Sequence, residues 1–297
     1  MQSSTGCGTT SSSTPDETIP RGRVGRDGTL RLAFRRQGPR TVLVEQRFTL
    51  PLQALGSMDL DDGGVATVML LNPTGGLLGG DVLRTSVAVG PRSRVCLTTP
   101  AASRVYRSLG APAVHEFTAC VERDASLEYM PDHLIPSPGA RLRQRTEVTL
   151  DADGTFIGLD AWSVGRIARG ERWLFDELDM SFVVRDARGL LLGERARLAG
   201  ARPLQGLGGT EGSDYLATFA AIAPSRTDWG ELADEWLGAM QWQHPQARCG
   251  VTLLARGGLL ARILCEAAPA LHRAVHTLWG VTRLRLLGLT AINLRKL

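Results

Sequence analysis

VLRTSVAVGPRSRVCLT (82–98) is the stretch on which the fold turns. Val82–Val89 alternates apolar and polar residues, Gly90-Pro91 breaks the run, and Arg94–Thr98 starts a second one. A period of two, bounded by Gly and Pro, is the mark of a strand, a turn and another strand. Outward from it the same grammar repeats. Strand-like runs fall at Thr41–Leu50, Val65–Leu71, Val114–Val121, Thr146–Leu150, Thr155–Trp162, Trp173–Arg185 and Leu190–Leu198, with turns at Asp62-Gly63-Gly64, Asp153-Gly154 and Arg188-Gly189. Helical periodicity is nearly absent from Leu30 to Leu198, which excludes a Rossmann-type alternation of strands and helices. No internal repeat is evident in the residues.

Helical patterns come later. Asp228, with Glu231 three residues on, reads as a cap ahead of the stripe Trp229, Leu232, Ala233, Trp236, Leu237 and Met240. A second helix is expected from near Pro269 to Gly288, with Leu271, Ala274, Val275, Leu278 and Trp279 on one face. Between them, Val251–Ala255 and Leu259–Leu264 read as a hairpin about Gly257-Gly258. The expectation is a Ser/Thr-rich disordered tail over 1–27, then one domain over 28–297, mainly β to about 225 with helices within 228–288.

Bulk properties exclude several classes. With 43% hydrophobic and 22% charged residues, the 297-residue chain can build a sizeable core. Its net charge of +4 comes from Arg spread along the chain, with no basic stripe interleaved with aromatics, so nucleic acid is not an expected partner. No apolar run reaches the length of a membrane span, and the first twenty residues lack the apolar region of a secretory signal. Five widely spaced cysteines, none in a C-x-x-C pair, read as reduced thiols of a soluble cytoplasmic protein.

The motifs divide between structural and chemical readings. NPTGGLLGGD (72–81) is glycine-rich, but it lacks Gly-Lys-Ser/Thr and runs into a strand, so it is not a phosphate loop. It reads as a tight turn with Asp81 as a candidate functional acid. In TTPAASRVYRS (98–108), Thr99 and Pro100 suggest the start of a short helix, and Ser103 has no base beside it. Glu128, Asp132 and His133 lie close in sequence and suit acid–base chemistry or metal ligation, although neighbours in an extended segment face opposite ways. His272 and His276 are one helical turn apart without a sequence-near third ligand, and read as surface or interface residues.

Taken together and in order, NPTGGLLGGD (72–81), TTPAASRVYRS (98–108), LEYMPDHLIPSPGARLRQRT (127–146), VGRIARGE (164–171) and LLLGERARL (190–198) resemble the UreD/UreH family of urease accessory proteins. Over the last residues the resemblance weakens, ending in Ile292-Asn-Leu-Arg-Lys-Leu297. The resemblance implies a mostly β fold, β-helix-like stacked sheets with a small helical addition near the C-terminus. It implies a non-enzymatic scaffold acting with UreF, the GTPase UreG and the urease apoprotein, through which nickel passes transiently with no cofactor held tightly. The acids it associates with the nickel path fall at Asp81, Asp160 and Glu194. Carboxylates suit such a role because they are exchangeable ligands, weaker than a Cys/His cage. The bland reading pairs these acids with Arg84, Arg166 or Arg195. The alternative function is a β-helix hydrolase or lyase using the acids of 72–81 and 128–133. The apolar faces at Trp229/Leu232/Trp236 and Leu278/Trp279 are either core or a docking surface for UreF.

Overall fold

The computed structural model describes residues 26–61, 63–292 and 294; residues 1–25 of the expected tail and most of the final five lie outside them. The chain opens with a hairpin, β1 (Asp27–Gln37) and β2 (Arg40–Thr49), and a short β3 (Gln53–Ala54). It then winds as stacked coils. β4 (Ala66–Leu71), β5 (Gly76–Leu77) and β6 (Val82–Val89) make the first coil, and β7 (Arg94–Thr98), β8 (Ser103–Val105) and β9 (Ala113–Val121) the second. β10 (Ser126–Met130), β11 (Leu134–Pro136) and β12 (Arg141–Leu150) make the third. In the fourth, β13 (Thr155–Ser163) leads through a 3-10 turn at Ile167–Arg169 to β14 (Glu177–Asp186).

Corresponding strands pair in parallel, producing a β-solenoid with two broad faces and one narrow one. β6, β9, β12 and β14 stack on the first face, and β4, β7, β10 and β13 on the second. β5, β8 and β11 form the narrow row. The stacked β-helix architecture implied by the resemblance is therefore present. The structure also corrects the sequence reading that found no repeat. Each coil turns from first face to second over four residues, at Gly90-Pro-Arg-Ser93, Glu122-Arg-Asp-Ala125 and Asp151-Ala-Asp-Gly154, so the repeat of about 30 residues lives in turn spacing rather than residue identity.

Antiparallel strands close the ends of the stack. β15 (Gly189–Ala199) pairs with β14 and extends the first face. β16 (Tyr215–Ile222), β17 (Arg248–Leu253) and β18 (Gly258–Cys265) extend the second in the order β13-β16-β18-β17. Helices α1 (Trp229–Gln243) and α2 (Ala268–Leu287) lie against the outer side of this second sheet. Most strands form where expected. The long run expected over Trp173–Arg185 is shorter, and in place of the helix expected after Thr99 the chain bends at Pro100-Ala101 and enters β8. Asp228 does precede α1, but its carboxylate binds the Arg226 guanidinium rather than capping the helix.

The two sheets meet different surroundings, and their sequences record it. On β6 and β12 buried and exposed residues alternate, because the first sheet packs inward and faces solvent outward. β10 is buried at every position, since one side meets the inter-sheet core and the other the helices. Phe117, Phe156 and Phe182 fill the space between the sheets. Trp236, Trp279 and Leu278 fill the layer between the second sheet and the helices. The Trp229/Leu232/Trp236 and Leu278/Trp279 faces are accordingly core, each at 6% exposure or less.

One buried ion pair pins α2 to the sheet. Arg283 Nε lies 2.8 Å from Glu128 Oε2, and both side chains are essentially inaccessible. Arg283 Nη2 also binds Asp61 at 2.7 Å, and its Nη1 donates to the Thr290 carbonyl. The Trp279 indole donates to Glu128 Oε2. Burial pushes the Glu128 carboxyl above its ordinary range, with Arg283 and Trp279 opposing the shift. Truncating one partner of such a pair exposes the other's desolvation penalty. We expect Arg283→Met to lower stability by about 3–5 kcal/mol at neutral pH in urea unfolding. The loss should shrink on acidification, because Glu128 without its counter-charge binds a proton more tightly when folded than when unfolded, so folding is favoured as pH falls. The double variant Glu128→Gln/Arg283→Met should recover most of the loss; an equal loss in both would show that the charge is not the cause.

Candidate functional site

Between the sheets the apolar filling is interrupted by a file of polar side chains beside a cavity of about 320 Å³. On the first sheet, the register places Leu83, His115, Gln144 and Met180 in one row across β6, β9, β12 and β14. His115 and Gln144 point inward, together with buried Thr85 and Thr146 of the next row. On the second sheet, Asp160 of β13 is flanked in register by Thr218 of β16, and Thr218 by Arg262 of β18. Side chains alternate along a strand. Phe156 lies in the inter-sheet core whereas Ile157, Leu159 and Ala161 face the helices, so Asp160 projects inward.

A hydrogen-bonded chain crosses the gap. The Gln144 Nε2 donates to Asp160 Oδ1 at 3.0 Å. Its Oε1 lies 3.3 Å from His115 Nδ1. The carboxylate takes the amide N–H, so the amide oxygen faces His115, whose Nδ1 must donate the proton; Nε2 then carries the lone pair. Burial lowers the His115 pKa, which keeps this ring neutral at physiological pH. Asp160 lines the cavity yet lies deep in the molecule, and burial raises its pKa to about 6, opposed by the Gln144 hydrogen bond. Neutral imidazole, amide oxygen and a carboxylate held by one amide donor together form a set of weak, exchangeable ligands.

The other two acids flagged by the sequence have different surroundings. Asp81 is buried, and its Oδ2 accepts the Leu78 backbone N–H at 2.7 Å, which closes the turn entering β6. Glycines there meet two separate demands: Gly80 has φ +85°, and a Cβ on Gly76 would lie 2.4 Å from the Arg104 carbonyl oxygen. Glu194 of β15 takes both its bonds from Arg262 Nη2, at 2.6 and 2.8 Å, linking the first sheet to the second. Arg262 thus stands between Glu194 and the Asp160–Thr218 row. None of the ion-pair partners expected from sequence is used: Arg84 pairs with Glu116, Arg166 with Glu171 and Arg195 with Asp179.

The paired-carboxylate arrangement that an acid–base hydrolase needs is not assembled from the 72–81 and 128–133 motifs. Asp81 closes a turn, Glu128 faces the helices in its pair with Arg283, and Asp132 lies in the β10–β11 connection. His115 and Gln144 were missed by sequence reasoning. His115 was isolated in the chain, and only the stacking of β9 on β12 brings it beside Gln144.

Comparisons with known proteins agree with this architecture. The family model described as UreD urease accessory protein matches residues 26–296. The chain is 32% identical over 271 residues to the urease accessory protein UreD of Cupriavidus necator, spanning 90% of this chain and 92% of that one. It is 35% identical over 267 residues to that of Dechloromonas aromatica, covering 89% and 91%. To that of Cenarchaeum symbiosum it is 30% identical, covering 93% and 98%.

The raised Asp160 pKa has a measurable consequence. As pH rises from about 4 to about 6, an unfolded carboxyl releases its proton before the folded one does, so folding loses stability across that window. Asp160→Asn should abolish the fall and leave the variant more stable than the parent above pH 6, by about 1–3 kcal/mol. Thermal unfolding against pH tests this; parallel curves for the two proteins would refute it.

Proposed function

Because the chain belongs to the UreD family of urease accessory proteins, with a role in urease maturation, we propose that it is the non-enzymatic scaffold through which nickel reaches apo-urease. It acts in the cytoplasm in a complex with UreF and the GTPase UreG. Nickel is cargo here and is not kept. The observation that carries the reading is the inter-sheet file, where Asp160, the Gln144 amide and neutral His115 meet beside a cavity. A carboxylate facing open space inside a fold costs several kcal/mol unless something recompenses its charge. A passing divalent cation does so.

Of the three acids proposed for the path, Asp160 is the one whose carboxylate faces the cavity. Glu194 bears on it through Arg262, which fixes one side of the polar row, and Asp81 shapes the coil entrance at the turn before β6. For UreF the docking surface has to be drawn afresh, because the apolar faces first considered are core. The apolar side chains that the helices leave exposed are Leu237, Trp242 and Leu284, with Trp242 at 82% exposure. No helix among the described residues is long and apolar enough to cross a membrane.

In a host expressing urease with its accessory proteins, Asp160→Asn should co-purify normally with UreF, UreG and urease. Its nickel content and urease activity should fall by about tenfold or more. Normal activation by Asp160→Asn would defeat the path reading, and loss of UreF before any nickel defect would assign Asp160 to assembly instead.

A further inference from the structure

The motif residues Asp132 and His133, read from sequence as not needing to converge, do converge, and His272 joins them from the other end of the chain. His133 Nδ1 lies 3.0 Å from Asp132 Oδ1. His272 Nε2 lies 3.0 Å from the same oxygen. One donor atom from each residue falls within 4.8 Å of the others. The trio is built from separate parts of the fold: Asp132 and His133 from the β10–β11 connection, and His272 from the first turns of α2.

Its members are held in place by contacts to the surrounding fold and to one another, the His133 backbone N–H donating to Asp132 Oδ1 at 2.9 Å. The Asp132 backbone N–H donates to Thr99 Oγ1 at 2.8 Å, which is what Thr99 does in place of capping a helix. The His133 ring is buried and packs edge-on against Tyr215, with centroids 5.5 Å apart. Asp132 and His133 side chains are 8% and 7% exposed whereas His272 is 51% exposed, so the cluster is walled on one side and open on the other.

The open side gives onto a second cavity, of about 520 Å³, between α2 and the second sheet. Pro131, Asp132, Leu159 and Ala161 line both this cavity and the inter-sheet one. Asp132 therefore stands where the outer space and the polar interior share a wall.

We propose that Asp132, His133 and His272 form a binding site for one divalent transition-metal ion at this wall. Two imidazoles and a carboxylate are a borderline donor set that favours ions such as zinc, nickel or cobalt over magnesium or calcium, which take oxygen ligands. Bonds of about 2.0–2.2 Å to each donor require donor separations of the kind seen here. The nitrogens that face the carboxylate are those that would bind, so on binding each neutral ring presents that nitrogen's lone pair and carries its one proton on the other nitrogen. Three protein ligands and an open side leave room for exchangeable water, the arrangement of a site that takes up and gives up its ion. That the ion held here is the one that enters the polar interior rests on the proposed function; the binding itself does not.

The test uses the full-length chain, co-purified with its partners if these are needed for solubility. Equilibrium dialysis against nickel, with metal counted by mass spectrometry, measures stoichiometry, and cobalt(II) absorption reports the ligand set. The expected result is one equivalent whose affinity falls by about a hundredfold in His272→Ala and in Asp132→Asn, with the cobalt spectrum altered. His272 is half exposed, so its replacement leaves the fold intact, checked by circular dichroism. Asp160→Asn should retain this equivalent. No bound equivalent in the parent, or an equivalent unchanged in both site variants, would overturn the proposal. If the equivalent is present and site-dependent while Asp160→Asn activates urease normally, the site stands and the lumenal reading falls.

Discussion

Burial of the Arg283 guanidinium between Glu128 and Asp61 is the constraint on which the outer half of the molecule depends. At β10 the second sheet has no solvent face, so whatever covers it there must match an apolar surface broken by the Glu128 carboxylate. A helix without a cation at that point would leave Glu128 charged and unpaired, at a cost that burial of Leu278 and Trp279 would scarcely offset. The pair therefore selects where along the sheet α2 sits. Everything α2 presents, including His272 beside Asp132, inherits its position from that selection. An ion pair of this kind adds little net stability compared with apolar residues of similar volume; what it provides here is register.

Asp160 is the counterpart on the other side of the same sheet. Glu128 and Asp160 come from neighbouring strands, β10 and β13, and project to opposite faces. Glu128 has a guanidinium and an indole, whereas the hydrogen-bond partner of Asp160 is the amide of Gln144. Burial raises both pKa values, but among the described residues only Glu128 has a cation from the protein against it. The sheet thus separates a carboxylate whose charge is satisfied by structure from one whose charge is available. The open edge shows a third solution, since Glu194 meets Arg262 from the opposite sheet and ties the two faces together.

Much of this was legible in the sequence, and the failures have definite causes. β6 and β7 were read at their observed bounds because one face of each environment differs from the other, or a turn marks each end. β10 and β16 escaped because strands buried on both sides lose the alternation that identifies them. The coil repeat escaped because its four-residue turns share length and not residues. Asp160 was found only through the family resemblance, for nothing local distinguishes an inward from an outward carboxylate. The trio at Asp132 was partly visible, but Asp132 and His133 were judged as extended-strand neighbours. They lie in the β10–β11 connection rather than within a strand, and the third member is 140 residues away. Thr99 misled because a hydroxyl before Pro is a helix cap only if no tertiary donor claims it, and the Asp132 amide does.

The chemistry of the interior follows from one competition. A carboxyl whose pKa lies at about 6 is mostly ionised at neutral pH but retains a measurable protonated fraction, and any cation must displace that proton to bind. The same burial that raises the pKa strengthens attraction to a divalent ion once the proton is gone, because screening is weaker in the interior. Gln144 sets the balance. Its amide holds the ionised form in place without supplying charge, so the site neither neutralises the acid, as Arg283 does for Glu128, nor cages an ion with thiolates. On the proposed reading, affinity is moderate and sensitive to proton concentration, and His115, kept neutral by burial, adds a donor that need not shed a proton in the physiological range. Under the proposed nickel path, an interior built this way admits a cation and lets it go, as weak oxygen and imidazole ligands in a partly hydrophobic cavity allow.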